Sequence, residues 1–319
     1  VRVAVIGASG FIGRRLCRAL AAAGHEVIAI VRRRAITHLA GATTVRYMED
    51  AGGASDWPQL LTDVDGIIHL ASPSGSSGPE RIAAFNLMRD DVLTLARVAG
   101  KGETKGAKKR LVFVSTIKVN GEATQDKPFD PGSVPEPKSD YAKVKLETEL
   151  GLAEISAETG LAVTVARPVA VYGPDGLGNI HLLANLFRTL PGWLVPLGGI
   201  DNQRSFIHVE NLVSALTRCV EDKGSENRLF LLHDGAPIST SQLCRFILEA
   251  HGKSGTLMPD TFGIIRRISS LVAPGLARRL FGSLAVEDTG ITEALGWRPS
   301  LSTQEALKQT LARPHDEQD

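Results

Sequence analysis

The sequence predicts a doubly wound parallel α/β sheet with a smaller C-terminal lobe. Three observations carry this. The chain opens on a short apolar strand, a glycine-rich turn, a helix and a second strand. Apolar runs then alternate with helix-length segments as far as Arg167-Pro168. These runs lack polar alternation, as strands covered on both faces should. Beyond Pro168 the rhythm stops, and Gly, Pro and Asn accumulate over 173–196.

The elements follow in order. Residues 3–6 are rich in β-branched side chains and read as a buried strand. Gly7, Gly10 and Gly13 make a G-x-x-G-x-x-G turn. The helix over 11–23 repeats Ile12, Leu16, Ala19, Leu20 and Ala23 at helical spacing, and Gly24 is its C′ residue. Strands follow at 27–31, 43–47, 67–70, 111–114 and 162–166. Helices are predicted over 80–98 and 141–159, the latter stopped by Gly160. A Ser/Gly/Pro loop spans 72–79, a basic solvated connector 100–110, and a polar, proline-rich segment 121–139. Later helices are expected over 181–190, 211–221 and 239–252, the last capped by Ser239 or Ser241. A strand at 229–232 should rejoin the sheet. Residues 1–167, with 205–232 returning, thus form one expected domain. Residues 168–204 and 233–319 form the second lobe. No internal repeat is visible.

Composition removes several function classes. In 319 residues, 36 Lys and Arg face 35 Asp and Glu, so no charge excess points to nucleic acid or a membrane surface. No apolar run approaches a membrane span. No signal peptide is visible, although a chain starting at Val1 could have lost a short leader. Cys17, Cys219 and Cys244 lack metal or redox spacing and fit a reducing cytoplasm. No His-x-x-x-His, Cys-x-x-Cys or G-x-S-x-G occurs, so no metal is expected. Gly252-Lys253-Ser254 lacks the first glycine of a phosphate loop, whose place holds Ile247. His69 and His208, at strand ends, read as structural.

The glycine turn suits a dinucleotide, which makes the first domain a Rossmann unit. Gly7 permits the tight turn, Gly10 lets the backbone approach a pyrophosphate, and Gly13 lets helix and strand pack closely. Free N–H groups at the helix start, around Ser9, Phe11 and Ile12, favour anionic phosphates. NAD-binding relatives place an acidic side chain at the end of strand two. Here Val31 is followed by Arg32, Arg33 and Arg34. These cations suit a 2′-phosphate, so NADP(H) is the expected cofactor, with NAD the alternative.

Ligands of such sheets sit at the carboxyl ends of the strands. Ser115-Thr116 ends the fifth strand there, and Tyr141-Ala-Lys-Val-Lys145 opens a helix. Tyr141 and Lys145, four apart, share a helix face, whereas Lys143 points elsewhere. A tyrosine titrates near 10, and a nearby ammonium is expected to lower it towards the working range. Thr116 can hydrogen-bond the same substrate oxygen. The trio suits hydride transfer to or from a ketone.

The ordered runs GASGFIG, DGIIHLAS, VFVSTIKVNG, YAKVK, RPVAVYGP, NQRSFIHVENL and LGWRPSLS resemble the extended short-chain dehydrogenase/reductase family, in its nucleotide-sugar epimerase and reductase branch. The resemblance covers nearly the whole chain. It implies Thr116, Tyr141 and Lys145 as catalytic residues, with Lys145 also on the nicotinamide ribose. It implies an adenine contact at Asp50, strand-end contacts at Leu70, Ala71 and Ser72, a helix asparagine at Asn86, and Pro168 beside the nicotinamide. It places the substrate diphosphate on Asn179 and Arg204, with Arg279 as a second candidate, and allows a homodimer. Many members carry Val-Tyr-Gly where this chain has Val119-Asn120-Gly121. The dehydratase acid pair after the threonine is replaced by Ile117 and Lys118, which cannot eliminate water by that route. The STIKVNG run resembles a subgroup labelled UDP-glucose 4-epimerase, some relatives of which are UDP-4-keto-sugar reductases in polysaccharide pathways. The expected activity is reduction at carbon 4 of a UDP-linked keto-sugar. A 4-epimerase with tightly held NAD is the alternative. A non-catalytic dinucleotide sensor ranks below both, because the Thr–Tyr–Lys set is intact.

Overall fold

The structure, a computed structural model, describes residues 1–32, 36–48, 56–73, 78–104, 107–174, 176, 179–259 and 274–312. Seven parallel strands form the central sheet. They are β1 (Arg2–Ile6), β2 (Glu26–Val31), β3 (Thr44–Tyr47), β4 (Gly66–His69), β7 (Arg110–Val114), β8 (Ala162–Pro168) and β11 (Leu229–Leu232). Their spatial order is β3-β2-β1-β4-β7-β8-β11. The order reverses between β1 and β4, so the crevice for a ligand opens outside the carboxyl ends of those strands.

Alternate residues of each strand face opposite layers. Val3, Val5, Ile68 and Val112 pack with Leu16 and Leu20 of α1 (Phe11–Ala22) and Leu212 and Leu216 of α6 (Val209–Glu221). Ala4, Ile6, Ile67, Leu111 and Phe113 pack instead with Phe85, Met88 and Val92 of α3 (Pro79–Lys101) and Val144 and Leu152 of α4 (Asp140–Thr159). Each large side chain so buried contributes about 1.5–3 kcal/mol. Both faces of the inner strands are therefore dry, which explains their unalternated runs; the edge strand β3 stays partly exposed.

A third cluster gathers Phe187 of α5 (Asn179–Thr189), Leu243 and Ile247 of α7 (Thr240–Ala250) and Leu307 of α10 (Thr303–Ala312). Tyr172 and Phe206 join it from a small parallel pair, β9 (Ala170–Tyr172) and β10 (Phe206–His208). That pair lay hidden among glycines and prolines in the sequence. The basic connector holds a two-stranded hairpin, β5 (Glu103–Thr104) and β6 (Ala107–Lys108). Short helices α2 (Trp57–Leu60), α8 (Pro274–Phe281) and α9 (Gly290–Leu295) complete the described elements.

Caps set the helix limits. Ser239, rather than Ser241, opens α7: its hydroxyl accepts from Gln242 N at 3.1 Å, and Gln242 Oε1 accepts from Ser239 N at 2.8 Å. The Ser241 hydroxyl donates to the Leu197 carbonyl. His208 caps α6 and starts it two residues before the predicted 211. Burial pushes the thiols of Cys17, Cys219 and Cys244 up to about 12.

Candidate active site

The glycine turn is built as the sequence implies. Gly7 has φ +85°, and a Cβ there would lie 2.9 Å from the Ala71 nitrogen. A Cβ on Gly13 would meet the Gly7 carbonyl at 2.3 Å, so only glycine lets α1 pack this close to β1. Gly10 differs: its Cβ would stand 3.3 Å from the Gly7 carbonyl, tight but internally tolerable. Its value is an open approach to the helix start. No side chain caps α1 and no acidic residue stands in its first turn. The Gly10 N–H is spent on the Gly7 carbonyl, but the N–H groups that open α1 beyond it have no capping side chain and no competing carboxylate, as an anionic phosphate requires. Phe11 and Ile12 begin the helix, with the Arg15 guanidinium 4.7 Å from the Phe11 ring centre.

Leu70 and Ala71 leave β4 beside this turn; the Leu70 N–H donates to the Ile6 carbonyl. Asn86 is half-buried on α3 next to Phe85, whose ring lies 5.3 Å from that of Tyr141. Arg32 follows β2 directly. Burial lowers His69 and raises Asp91; the Arg32 cation adds to the first shift and opposes the second. Arg33 and Asp50 lie outside the described residues. Two buried polar atoms at strand ends, His69 Nδ1 and Ser115 Oγ, have no hydrogen-bond partner. A glycine cradle, a cation after β2 and unpaired strand-end atoms fit a bound dinucleotide.

Ser139 caps α4 and so sets Tyr141 in its first turn. Lys145, 1% exposed, donates from Nζ to the Val114 carbonyl at 2.9 Å. The same Nζ stands 4.5 Å from the Phe113 ring centre and 5.9 Å from that of Tyr141. The ends of β4 and β7 thus meet the start of α4. One expectation is corrected here. Lys145 does not draw the phenol down; burial pushes Tyr141 up, opposed only by a hydrogen bond from Ser72. Burial likewise pushes Lys145 down to about 7, with the Glu149 carboxylate opposing. Desolvation outweighs the mutual attraction, so Tyr141 stands as a neutral proton donor. Lys143, by contrast, is exposed and faces Asp140 at 3.6 Å.

Thr116 has extended backbone and caps a 3₁₀ turn over Ile117–Val119. Its Oγ1 accepts from the Lys118 N–H at 3.3 Å, leaving the hydroxyl hydrogen to be donated. Thr116 lines a cavity of about 840 Å³ together with Lys118, Arg204, Arg278 and Arg279. Arg204 donates from Nη1 to the Gly282 carbonyl at 2.9 Å. Burial and the neighbouring Arg279 cation both lower its pKa. Two guanidiniums close enough to repel suit a diphosphate. Asn179 starts α5, but its side chain is outside those described. Pro168 is the buried last residue of β8, paired with Leu232. Sequence reasoning missed Arg278, whose Nη1 meets the Glu122 carboxylate at 2.7 Å, and a buried group of Asn120, Glu149 and Arg167. Arg167, the one charged residue of β8, was the available signal. Burial keeps His69 neutral down to about 3, and the His208 backbone N–H donates to the Asp234 carboxylate.

A parallel sheet with this phosphate cradle and a Tyr–Lys pair beside it defines a dinucleotide-dependent oxidoreductase. Comparison with known proteins is narrower. The profile of the NAD dependent epimerase/dehydratase family matches residues 3–231, and the chain belongs to that family. It is 28% identical to a UDP-glucose 4-epimerase of Vibrio cholerae, covering 97% of this chain and 94% of that protein. It is 24% identical to a GDP-6-deoxy-D-mannose reductase of Pseudomonas aeruginosa, covering 98% and 96%. Among solved structures, UDP-glucuronic acid 4-epimerase from Bacillus cereus in complex with NAD superposes at TM-score 0.75 with 19% identity, over 98% of both chains. UDP-glucose 4-epimerase from Thermotoga maritima gives 0.73 at 22% identity, again over 98% of both. These two likenesses establish the fold that the sequence predicts. Among the described residues no helix is long and apolar enough to cross a membrane, and no cluster of His, Cys, Asp or Glu could hold a metal.

Proposed function

We propose that the chain transfers a hydride between NADP(H) and carbon 4 of a UDP-linked sugar, working as a 4-keto-sugar reductase. Both relatives named above carry nucleotide-sugar names, and the arginines of the cavity suit a nucleotide diphosphate. When bound, the nicotinamide supplies the hydride. Tyr141 donates its phenolic proton to the substrate oxygen, and Thr116 donates a hydrogen bond to the same atom. Lys145 stabilises the phenolate left behind and holds a ribose hydroxyl. Arg204 and Arg279 hold the diphosphate, and Gly7, Gly10 and Gly13 the cofactor pyrophosphate. The cofactor belongs to 1–167 with 205–232, the sugar to the remaining lobe.

The observation that carries the reductase reading is Arg32 at the end of β2, where a carboxylate would favour NAD. A reductase exchanges its cofactor at each turnover; an epimerase keeps one NAD. Purified protein should consume NADPH in proportion to added UDP-4-keto-sugar. Interconversion of UDP-glucose and UDP-galactose, or of their N-acetyl forms, without net change in nicotinamide absorbance would sink this reading. The result would then support a 4-epimerase, which the likeness to the Vibrio cholerae protein favours. The buried thiols support a cytoplasmic enzyme. Exposed Leu87 on α3 and Leu150 on α4 support a homodimer, which sedimentation would test.

A further inference from the structure

Three buried polar side chains beneath the site are not used by the chemistry above. Arg167, at the carboxyl end of β8, is clamped on Glu149 of α4. Its Nε reaches the two carboxylate oxygens at 3.1 and 3.2 Å, and Nη2 bonds Oε2. Its Nη1 donates to Oδ1 of Asn120 at 2.9 Å. A guanidinium only donates, so it fixes the amide with its oxygen towards Arg167. The Asn120 nitrogen, turned away, has no partner.

Each of the three belongs to a different part of the site. Glu149 lies one helical turn beyond Lys145. Asn120 closes the 3₁₀ turn that Thr116 opens. Arg167 directly precedes Pro168. One guanidinium therefore joins the proton-donor helix, the Thr116 turn and the end of β8. Stability alone does not account for it, because buried ion pairs can often be replaced by apolar residues at no cost.

We propose that Glu149, Arg167 and Asn120 are positioning residues that hold the Tyr141–Lys145 helix in register with Thr116 and keep the Lys145 ammonium charged during turnover. This rests on the reading of Tyr141 and Lys145 as the proton-transfer pair. The groups facing Lys145 are Tyr141 and Glu149 from α4, the neutral His69 from β4, and the Val114 carbonyl and Phe113 ring from β7. Arg167 stands behind Glu149 from β8. The Glu149 carboxylate is the charge that supports the ammonium against burial. Without it, Arg167 becomes an uncompensated cation as well, and Lys145 loses its proton at lower pH.

The test is the pH profile of kcat in the cofactor-loaded enzyme. Glu149→Gln should move the alkaline limb about one pH unit or more towards acid, with the sugar KM little changed. Asn120→Leu keeps both charges and serves where Glu149→Gln does not fold. It should lower kcat about tenfold with the alkaline limb in place, and Asn120→Asp, which returns an oxygen to Arg167, should restore most of the loss. An unmoved limb in Glu149→Gln, or wild-type kcat in Asn120→Leu, overturns the proposal while leaving the proton-transfer reading intact. Wild-type turnover in Tyr141→Phe overturns both.

Discussion

Lys145→Met should make the protein more stable and inactive, and the size of the gain should depend on pH in a defined way. The side chain is fully enclosed, and burial carries its ammonium from 10.5 to about 7. At 1.36 kcal/mol per unit this corresponds to about 5 kcal/mol against the charged form. The Val114 bond and the Phe113 ring return part of it. A hydrogen bond to a charged donor is worth about 1.5–3 kcal/mol and a cation over a ring about 0.5–2 kcal/mol. A net gain of up to about 3 kcal/mol is therefore expected for methionine, which fills the same slot, at pH below about 7. The sign with pH follows from proton counts. Between the folded value of about 7 and the unfolded 10.5, the unfolded chain binds the extra proton, so wild-type stability rises with pH. The difference between wild type and variant should then shrink across that window. Urea unfolding of both proteins at several pH values reads it directly. A variant less stable than wild type at low pH, or a gap that does not change with pH, would refute the electrostatic argument.

Other outcomes follow from the same site. Tyr141→Phe keeps the ring against Phe85 and loses the proton donor; turnover should fall by about two orders of magnitude or more, with NADPH affinity by titration little changed. Arg32→Asp should reverse cofactor choice towards NAD, and equal wild-type affinity for NAD and NADP would count against a 2′-phosphate site. Gly13→Ala forces a methyl onto the Gly7 carbonyl and should cost about 1–3 kcal/mol in unfolding free energy while abolishing dinucleotide binding; retained binding would mean that the turn is not the phosphate cradle.

The parallel sheet was legible because its strands are dry on both faces, a condition written as unbroken runs such as VAVI and LVFV. The glycine turn was legible for a steric reason that Gly7 and Gly13 share. The Tyr141–Lys145 pair was legible because helix periodicity fixes which residues share a face. Titration was not: the sequence shows that an ammonium is near a phenol, but not that both are enclosed, and enclosure decides the direction for each. The pairing of β9 with β10 was hidden because strands of three residues carry no period. Arg167 meets Glu149 and Asn120 only when β8, α4 and the Thr116 turn are packed together, so no local pattern announces that junction.

Arg204 and Arg279 both line the cavity, and the Arg279 cation adds to the burial that lowers the pKa of Arg204. If this pair holds the substrate diphosphate as proposed, any polyanion of the right size should be held there, whether or not it carries a reactive sugar. In the proposed reaction the diphosphate is unchanged by chemistry at carbon 4, so product would leave against the same attraction that drew substrate in. Free UDP should therefore compete well, added salt should weaken substrate capture and speed product departure together, and the fastest turnover should fall at an intermediate ionic strength rather than at the lowest.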